Sequence, residues 1–211
     1  MNNCNPLTMM ENKLSATQKE NAKFFDKATK FYEFPLTRQI NKLIHKKISS
    51  LIPIKPGSSI LDAGCGTGTF LELLNQKNKS LKLYGIDVSP KMIEISKNRL
   101  KDKATINLDS IESFSPKNKF NYIFSIDSFH HYANQEKAIL NFHQALKKRG
   151  KLIISDFSLG RLGNWFFKKF EPSNSRMLSK KEFKELFEKH KFEIIKQKRV
   201  GLFSIVTTGV K

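Results

Sequence analysis

Two rhythms of apolar and polar residues alternate along the chain. Short apolar-rich runs sit at 58–63, 81–87, 104–108, 120–125, 152–157, 192–199 and 202–210, which is the length and composition of strands. Between them apolar positions recur every three or four residues, as on one face of a helix. The first such stretch, Ala16 to Phe31, carries Phe24, Phe25, Ala28 and Phe31. Pro35 ends it, and a second helix is expected from Leu36 to Leu51 with Ile40, Leu43, Ile44 and Ile48 facing inward. Further helices are expected after Gly68, from Ser89-Pro90, after Asn134 and from Ser179. Ser89, Asn134 and Ser179 are suited to cap them, and Glu182 completes a capping box with Ser179. Strands alternating with helices predict a doubly wound α/β domain. Its sheet is expected to have seven mostly parallel strands, closing in an antiparallel C-terminal hairpin and preceded by N-terminal helices.

The stretch Ile60-Leu61-Asp62-Ala63-Gly64-Cys65-Gly66-Thr67-Gly68-Thr69-Phe70 organises this pattern. An apolar run ends in an acid, three glycines follow at alternate positions, and a helix starts at once. Glycines there let the backbone approach a ligand closely, and the helix start offers unpaired N–H groups. The next apolar run, Leu81 to Ile86, ends in a second acid, Asp87, placed to accept hydrogen bonds from ribose hydroxyls. A nicotinamide-binding loop would read G-x-G-x-x-G. Here the third glycine is one residue early, at Gly68, and Thr69 takes its place.

The sequence therefore resembles the class I S-adenosylmethionine-dependent methyltransferases, which share a Rossmann-like fold and whose first motif is Asp/Glu-x-Gly-x-Gly-x-Gly. The resemblance implies S-adenosylmethionine as cofactor. It implies contacts from Asp62, Gly64, Cys65, Gly66 and Gly68, from Asp87 and Val88 at the second strand end, and from Asp109 and Ser110 at the third, with Asp109 toward the adenine amino group. Ser125 at the fourth strand end is expected to join them. The segment Phe24-Phe25-Asp26-Lys27-Ala28-Thr29-Lys30-Phe31-Tyr32 is similar to the entry arm of quinone- and lipid-type members. In those proteins the arm folds over the cofactor, which makes Tyr32 a candidate contact. The other reading is a helix packing its Phe stripe on the sheet.

Chemistry in open α/β sheets gathers at the carboxyl ends of the strands. Beyond the fourth strand lies Ile126-Asp127-Ser128-Phe129-His130-His131-Tyr132. His130 and His131 are the candidate bases for an acceptor that must lose a proton. In an extended loop adjacent side chains diverge, so one should face the acceptor while the other packs. A purely structural pair is the alternative. The loop lacks the Asn/Asp-Pro-Pro-Tyr/Phe of amino-methylating nucleic-acid enzymes, and no cysteine sits near the fourth or fifth strand for pyrimidine C5 chemistry. No His/Asp/Glu set has metal-ligand spacing, so no metal is expected.

Composition changes this picture little. The 211 residues suit one domain, taken as 15–211, with an unstructured tail at 1–14, a helical cap at 15–52 and a lid-like insertion at 158–178. That insertion gathers aromatics and bases (Trp165, Phe166, Phe167, Lys168, Lys169, Phe170), so it is read as a lid, a membrane-touching segment or a helix packed on the sheet edge. Two cysteines, Cys4 and Cys65, form no disulfide framework, which suits a reducing cytoplasm. The net charge of +19 is spread over nearly every element as lysine, and reads as solvated faces rather than a nucleic-acid patch. The expected function is methyl transfer to a small-molecule acceptor, with a lipophilic one and peripheral membrane contact both in view. The alternatives are an RNA or protein methyltransferase drawn by charge, or a non-catalytic cofactor-binding protein.

Overall fold

The computed structural model describes residues 14–116, 118–158, 176–201 and 203–211. The tail expected at 1–14 and the insertion expected at 158–178 therefore lie almost wholly outside the described residues. Helices α1 (Ala16–Glu33) and α2 (Pro35–Ser50) lead into β1 (Ser59–Ala63), α3 (Thr69–Lys77), β2 (Lys82–Asp87), α4 (Pro90–Leu100) and β3 (Thr105–Leu108). Then follow β4 (Phe120–Ile126), α5 (Gln135–Ala145), β5 (Leu146–Phe157), α6 (Lys180–Lys189), β6 (Glu193–Val200) and β7 (Ser204–Val210). The sheet order is β3-β2-β1-β4-β5-β7-β6. Six strands run one way and β7 alone runs against them, between β5 and β6. This is the doubly wound, Rossmann-like, mostly parallel seven-stranded sheet with its C-terminal hairpin. The order reverses between β1 and β4, and that switch point opens a crevice at their carboxyl ends.

Burial explains why these runs are strands. All of β1 is buried, because α helices cover both faces of a parallel sheet. One core layer joins Leu61, Ile123, Phe129, Phe142 and Phe187, and the other joins Ile60, Phe70, Leu74, Phe124 and Ile153. Gly85 lets these layers close: a Cβ there would stand 2.8 to 2.9 Å from Ile106, Cys65 and Leu71. The capping signals hold at Ser89 (N–H of Met92 at 3.1 Å), Asn134 (Lys137, 2.9 Å) and the Ser179–Glu182 box.

Two expectations need correction. Strand β5 begins at Leu146 rather than Leu152, with a register shift opposite Phe120 and Tyr122 that absorbs Lys148 and Arg149 into the strand. On the N-terminal helices, Phe31 is 66% exposed, Ile40 48% and Leu43 64%. Only the last turn of α2, with Ile48 buried and Ile44 partly so, reaches the core.

Candidate active site

The glycine loop is folded by its own geometry. Gly64, Gly66 and Gly68 have φ of 76°, 51° and 79°, in the left-handed region that disfavours any Cβ. The N–H groups of Gly64 and Cys65 both donate to the Ile86 carbonyl, at 2.8 and 3.0 Å, which holds the loop on the end of β2. A Cβ at Gly64 would lie 2.5 Å from that of Ser128, whereas one at Gly66 would meet nothing within 4 Å. Gly66 therefore borders open space. That space is a cavity of about 150 Å³ at the switch point.

Three sides of the cavity come from the sheet. The loop contributes Gly64, Cys65 and Gly66; the β2 and β3 ends contribute Asp87, Val88, Asp109 and Ser110; the β4 end contributes Asp127, Ser128, His131 and Tyr132. Asp87 Oδ2 accepts from the N–H of Gly66 at 2.8 Å and Oδ1 from that of Ser89 at 2.9 Å. Burial raises its carboxyl even so, against the lowering effect of these N–H groups. Asp109 Oδ1 accepts from the Ser110 N–H at 2.8 Å. Burial also pushes the Cys65 thiol well up, with Asp87 and Asp62 adding to it, so it remains protonated.

The fourth side is helix α1. Gln18 Nε2 donates to Ser110 Oγ at 2.8 Å and also bonds Glu112, while Asn21 Nδ2 donates to the His131 carbonyl at 2.8 Å. The Phe25 ring meets the His131 ring edge-on at 4.8 Å. Tyr32 lines the cavity from the same helix, and Asn41 and His45 do so from α2. Burial depresses the His45 imidazole to about 4, leaving it neutral near pH 7. Arg99 ties the roof to the loop, pairing with Glu33 at 2.6 Å and donating to Thr67.

Several predicted residues do not line the cavity. Asp62 lies beneath the loop, 2% exposed, with its carboxyl raised to about 8 by burial and then by Asp87. Gly68 is the N-cap of α3. Ser125 Oγ stands 2.9 Å from Ser128 Oγ and 3.0 Å from Tyr132 OH, in a buried network that ends on the Ala63 carbonyl. The histidines sit in a 3₁₀ turn, Phe129–His131, rather than an extended loop. Their environments still divide. His130 is 1% exposed, with Nδ1 at 2.5 Å from Asp156 Oδ1, whereas His131 borders the cavity.

Asp127 is the residue that sequence reasoning passed over. It has φ of 49° just beyond β4, and its Oδ1 is buried with no hydrogen-bond partner among the described residues. Burial, then Asp156, raises its carboxyl to about 7. The available signal was an acid leaving a strand at the switch point. Gln18, Asn21 and Glu112 carried no signal, since their roles depend on contacts across 92 to 110 residues.

A family model described as a methyltransferase domain matches residues 36–197. The chain belongs to the class I S-adenosylmethionine-dependent methyltransferases. Malonyl-[acyl-carrier protein] O-methyltransferase 1 of Ilyobacter polytropus is 31% identical over 101 residues, 47% of this chain and 38% of that protein. Phosphoethanolamine N-methyltransferase of Plasmodium falciparum is 27% identical over 199 residues, 90% of this chain and 69% of that one. The matches to the first three curated relatives span 38%, 59% and 65% of those proteins' lengths. Magnesium protoporphyrin IX methyltransferase from Synechocystis PCC 6803, solved with bound S-adenosylmethionine, superposes with a TM-score of 0.71. It covers 95% of this chain and 99% of that one at 16% identity, and so shows the shared fold. S-Adenosylmethionine is the cofactor of this methyltransferase, and the open space beside Gly66 with an acid at the β2 end fits it.

Proposed function

We propose that this methyltransferase acts on a small-molecule acceptor admitted beneath helix α1. The observation that carries the reading is the roof: Gln18, Asn21 and Asp26 fasten α1 across the carboxyl ends of the strands, so the reacting space is enclosed. Names of relatives agree in kind, since one methylates phosphoethanolamine and a structural neighbour a porphyrin. Bound in the cavity, S-adenosylmethionine supplies a methyl group already activated on a sulfonium.

The chain's own residues bind and orient. Asp87 would hold the ribose hydroxyls, Asp109 and Ser110 the adenine edge, and Gly64 to Gly66 the amino-acid end, with Asp62 and Ser125 supporting the loop from below and Tyr32 closing from above. Phe25, Met92, Ile111 and Ile126 give the cavity apolar wall, which favours an acceptor with a lipophilic part. Asp127 and His131 face the acceptor. His131 is placed to take the proton that a hydroxyl or amine loses on methylation, and Asp127 to hold the polar group in line. Alignment of this kind lowers a barrier by roughly 7 to 11 kcal/mol. His130, paired with Asp156, positions the turn. Among the described residues no three His, Cys, Asp or Glu side chains gather to hold a metal, and no helix is long and apolar enough to cross a membrane. A cytoplasmic site of action suits the buried Cys65 thiol.

The test is to incubate cell extract with enzyme and isotopically methyl-labelled S-adenosylmethionine, then separate small molecules, protein and RNA for mass spectrometry. Label in the small-molecule fraction supports the reading. Label confined to protein or RNA refutes it.

A further inference from the structure

Large apolar side chains stand in solvent on one corner of the molecule. Phe31, Phe34, Leu36, Ile40 and Leu43 are 48% to 66% exposed. The other exposed large hydrophobics among the described residues, Leu140, Ile195 and Phe203, are scattered over α5, β6 and the start of β7. Leu36, Ile40 and Leu43 follow a four-then-three spacing, so they form one stripe on α2, while Asn41, His45 and Ile48 face the protein. Phe31, in the last turn of α1, and Phe34, between the two helices, precede the stripe and are exposed as well. A contiguous apolar patch of this kind marks an interaction site rather than ordinary surface.

Its rim is basic. Lys27 and Lys30 on α1, and Lys42, Lys46 and Lys47 on α2, are all exposed. Between Lys27 and Lys47 the one acid is Glu33, already held by Arg99. An apolar face bordered by lysine and arginine is the pattern of a helix lying in the interface of an anionic bilayer: the apolar side chains sink to the acyl boundary and the cations meet lipid phosphates. A second copy fits the charge badly. A two-fold contact would set Lys42, Lys46 and Lys47 against their own copies, on chains of net charge +19. Nucleic acid would satisfy the cations but leave the aliphatic stripe unused.

We propose that the α1–α2 corner docks the protein on anionic phospholipid membrane. The helices that present this face also supply Tyr32, Asn41 and His45 to the cavity, so docking sets the cavity roof beside the lipid. The proposal does not depend on which acceptor is methylated.

Flotation with vesicles tests it, using phosphatidylcholine alone and phosphatidylcholine mixed with phosphatidylglycerol. Wild type should float with the anionic vesicles and not with the neutral ones. The triple variants Leu36→Ser/Ile40→Ser/Leu43→Ser and Lys42→Glu/Lys46→Glu/Lys47→Glu should each lose about tenfold or more in partitioning. Both should keep the melting temperature and S-adenosylhomocysteine affinity of wild type. The same charge reversal on α6, Lys180→Glu/Lys181→Glu/Lys184→Glu, should change partitioning by only about twofold. No flotation of wild type, or equal loss from the α6 variant, overturns the proposal. So does light scattering that shows a dimer abolished by the serine variant in protein that does not float.

Discussion

Asp26 Oδ1 accepts a hydrogen bond from Ser89 Oγ at 2.6 Å and a second from the Lys91 N–H at 3.1 Å. Ser89 is the N-cap of α4, two residues beyond Asp87. One carboxylate on the roof helix thus grips the connection that carries Asp87, the residue proposed to hold the cofactor ribose, and its charge complements the start of α4. Asp26→Ala should lower stability by about 0.5 to 2 kcal/mol. It should also weaken S-adenosylhomocysteine binding, as the roof loosens. Calorimetry of unfolding and of ligand binding reads both, and unchanged affinity would detach the roof from the cofactor site.

The two histidines should fail in different ways. His131→Asn should cost roughly 10²- to 10⁴-fold in turnover on an acceptor that loses a proton, with cofactor affinity held. His130→Ala leaves buried Asp156 without its ring partner and should cost about 2 to 4 kcal/mol of stability. Denaturation curves and turnover numbers on both variants separate the roles.

Stability should fall as pH rises across neutrality. Burial raises the Asp127 carboxyl to about 7 and that of Asp62 to about 8. The unfolded chain releases these protons near pH 4, the folded one only near 7 and 8. Between those limits the folded state binds more protons, so the contribution is fully present below about pH 4 and is lost as pH rises toward 8. Asp127→Asn or Asp62→Asn should flatten the decline in melting temperature between pH 5 and pH 8. A slope unchanged in both variants would contradict the assignment.

Two neighbouring glycines should separate folding from binding. Gly64→Ala drives a Cβ to 2.5 Å from Ser128 and should destabilise the fold, whereas Gly66→Ala meets no neighbour and costs only its backbone strain, about 1 to 2 kcal/mol. The new methyl would enter the open space proposed for the cofactor. Gly66→Ala should therefore fold and bind S-adenosylhomocysteine at least about tenfold more weakly, a loss of about 1.4 kcal/mol. Wild-type affinity in that variant would move the cofactor away from the loop.

The glycine spacing and the acids at 62 and 87 were legible because each is local: a left-handed turn and a strand end leave their mark within a few residues. The mostly parallel sheet with its C-terminal hairpin was legible in the alternation of runs, whereas the strand order is seen only in the fold. The roof was not legible, since Gln18 and Asn21 act on residues about a hundred positions away. The helical periods on either side of Pro35 are legible, but they set Phe31, Ile40 and Leu43 inward, and period alone does not say whether an apolar face meets core or solvent. Phe31, Ile40 and Leu43 face solvent. Asp127 escaped because a lone acid in a loop is ordinary; its burial without a partner is visible only in three dimensions.

A crystal structure with S-adenosylhomocysteine tests the central claim most directly. The account predicts the ribose hydroxyls on Asp87, the adenine edge near Asp109, and the sulfur directed at the space bounded by Asp127 and His131 beneath Tyr32. A ribose away from Asp87, or a sulfur turned from His131 toward bulk solvent, would contradict it.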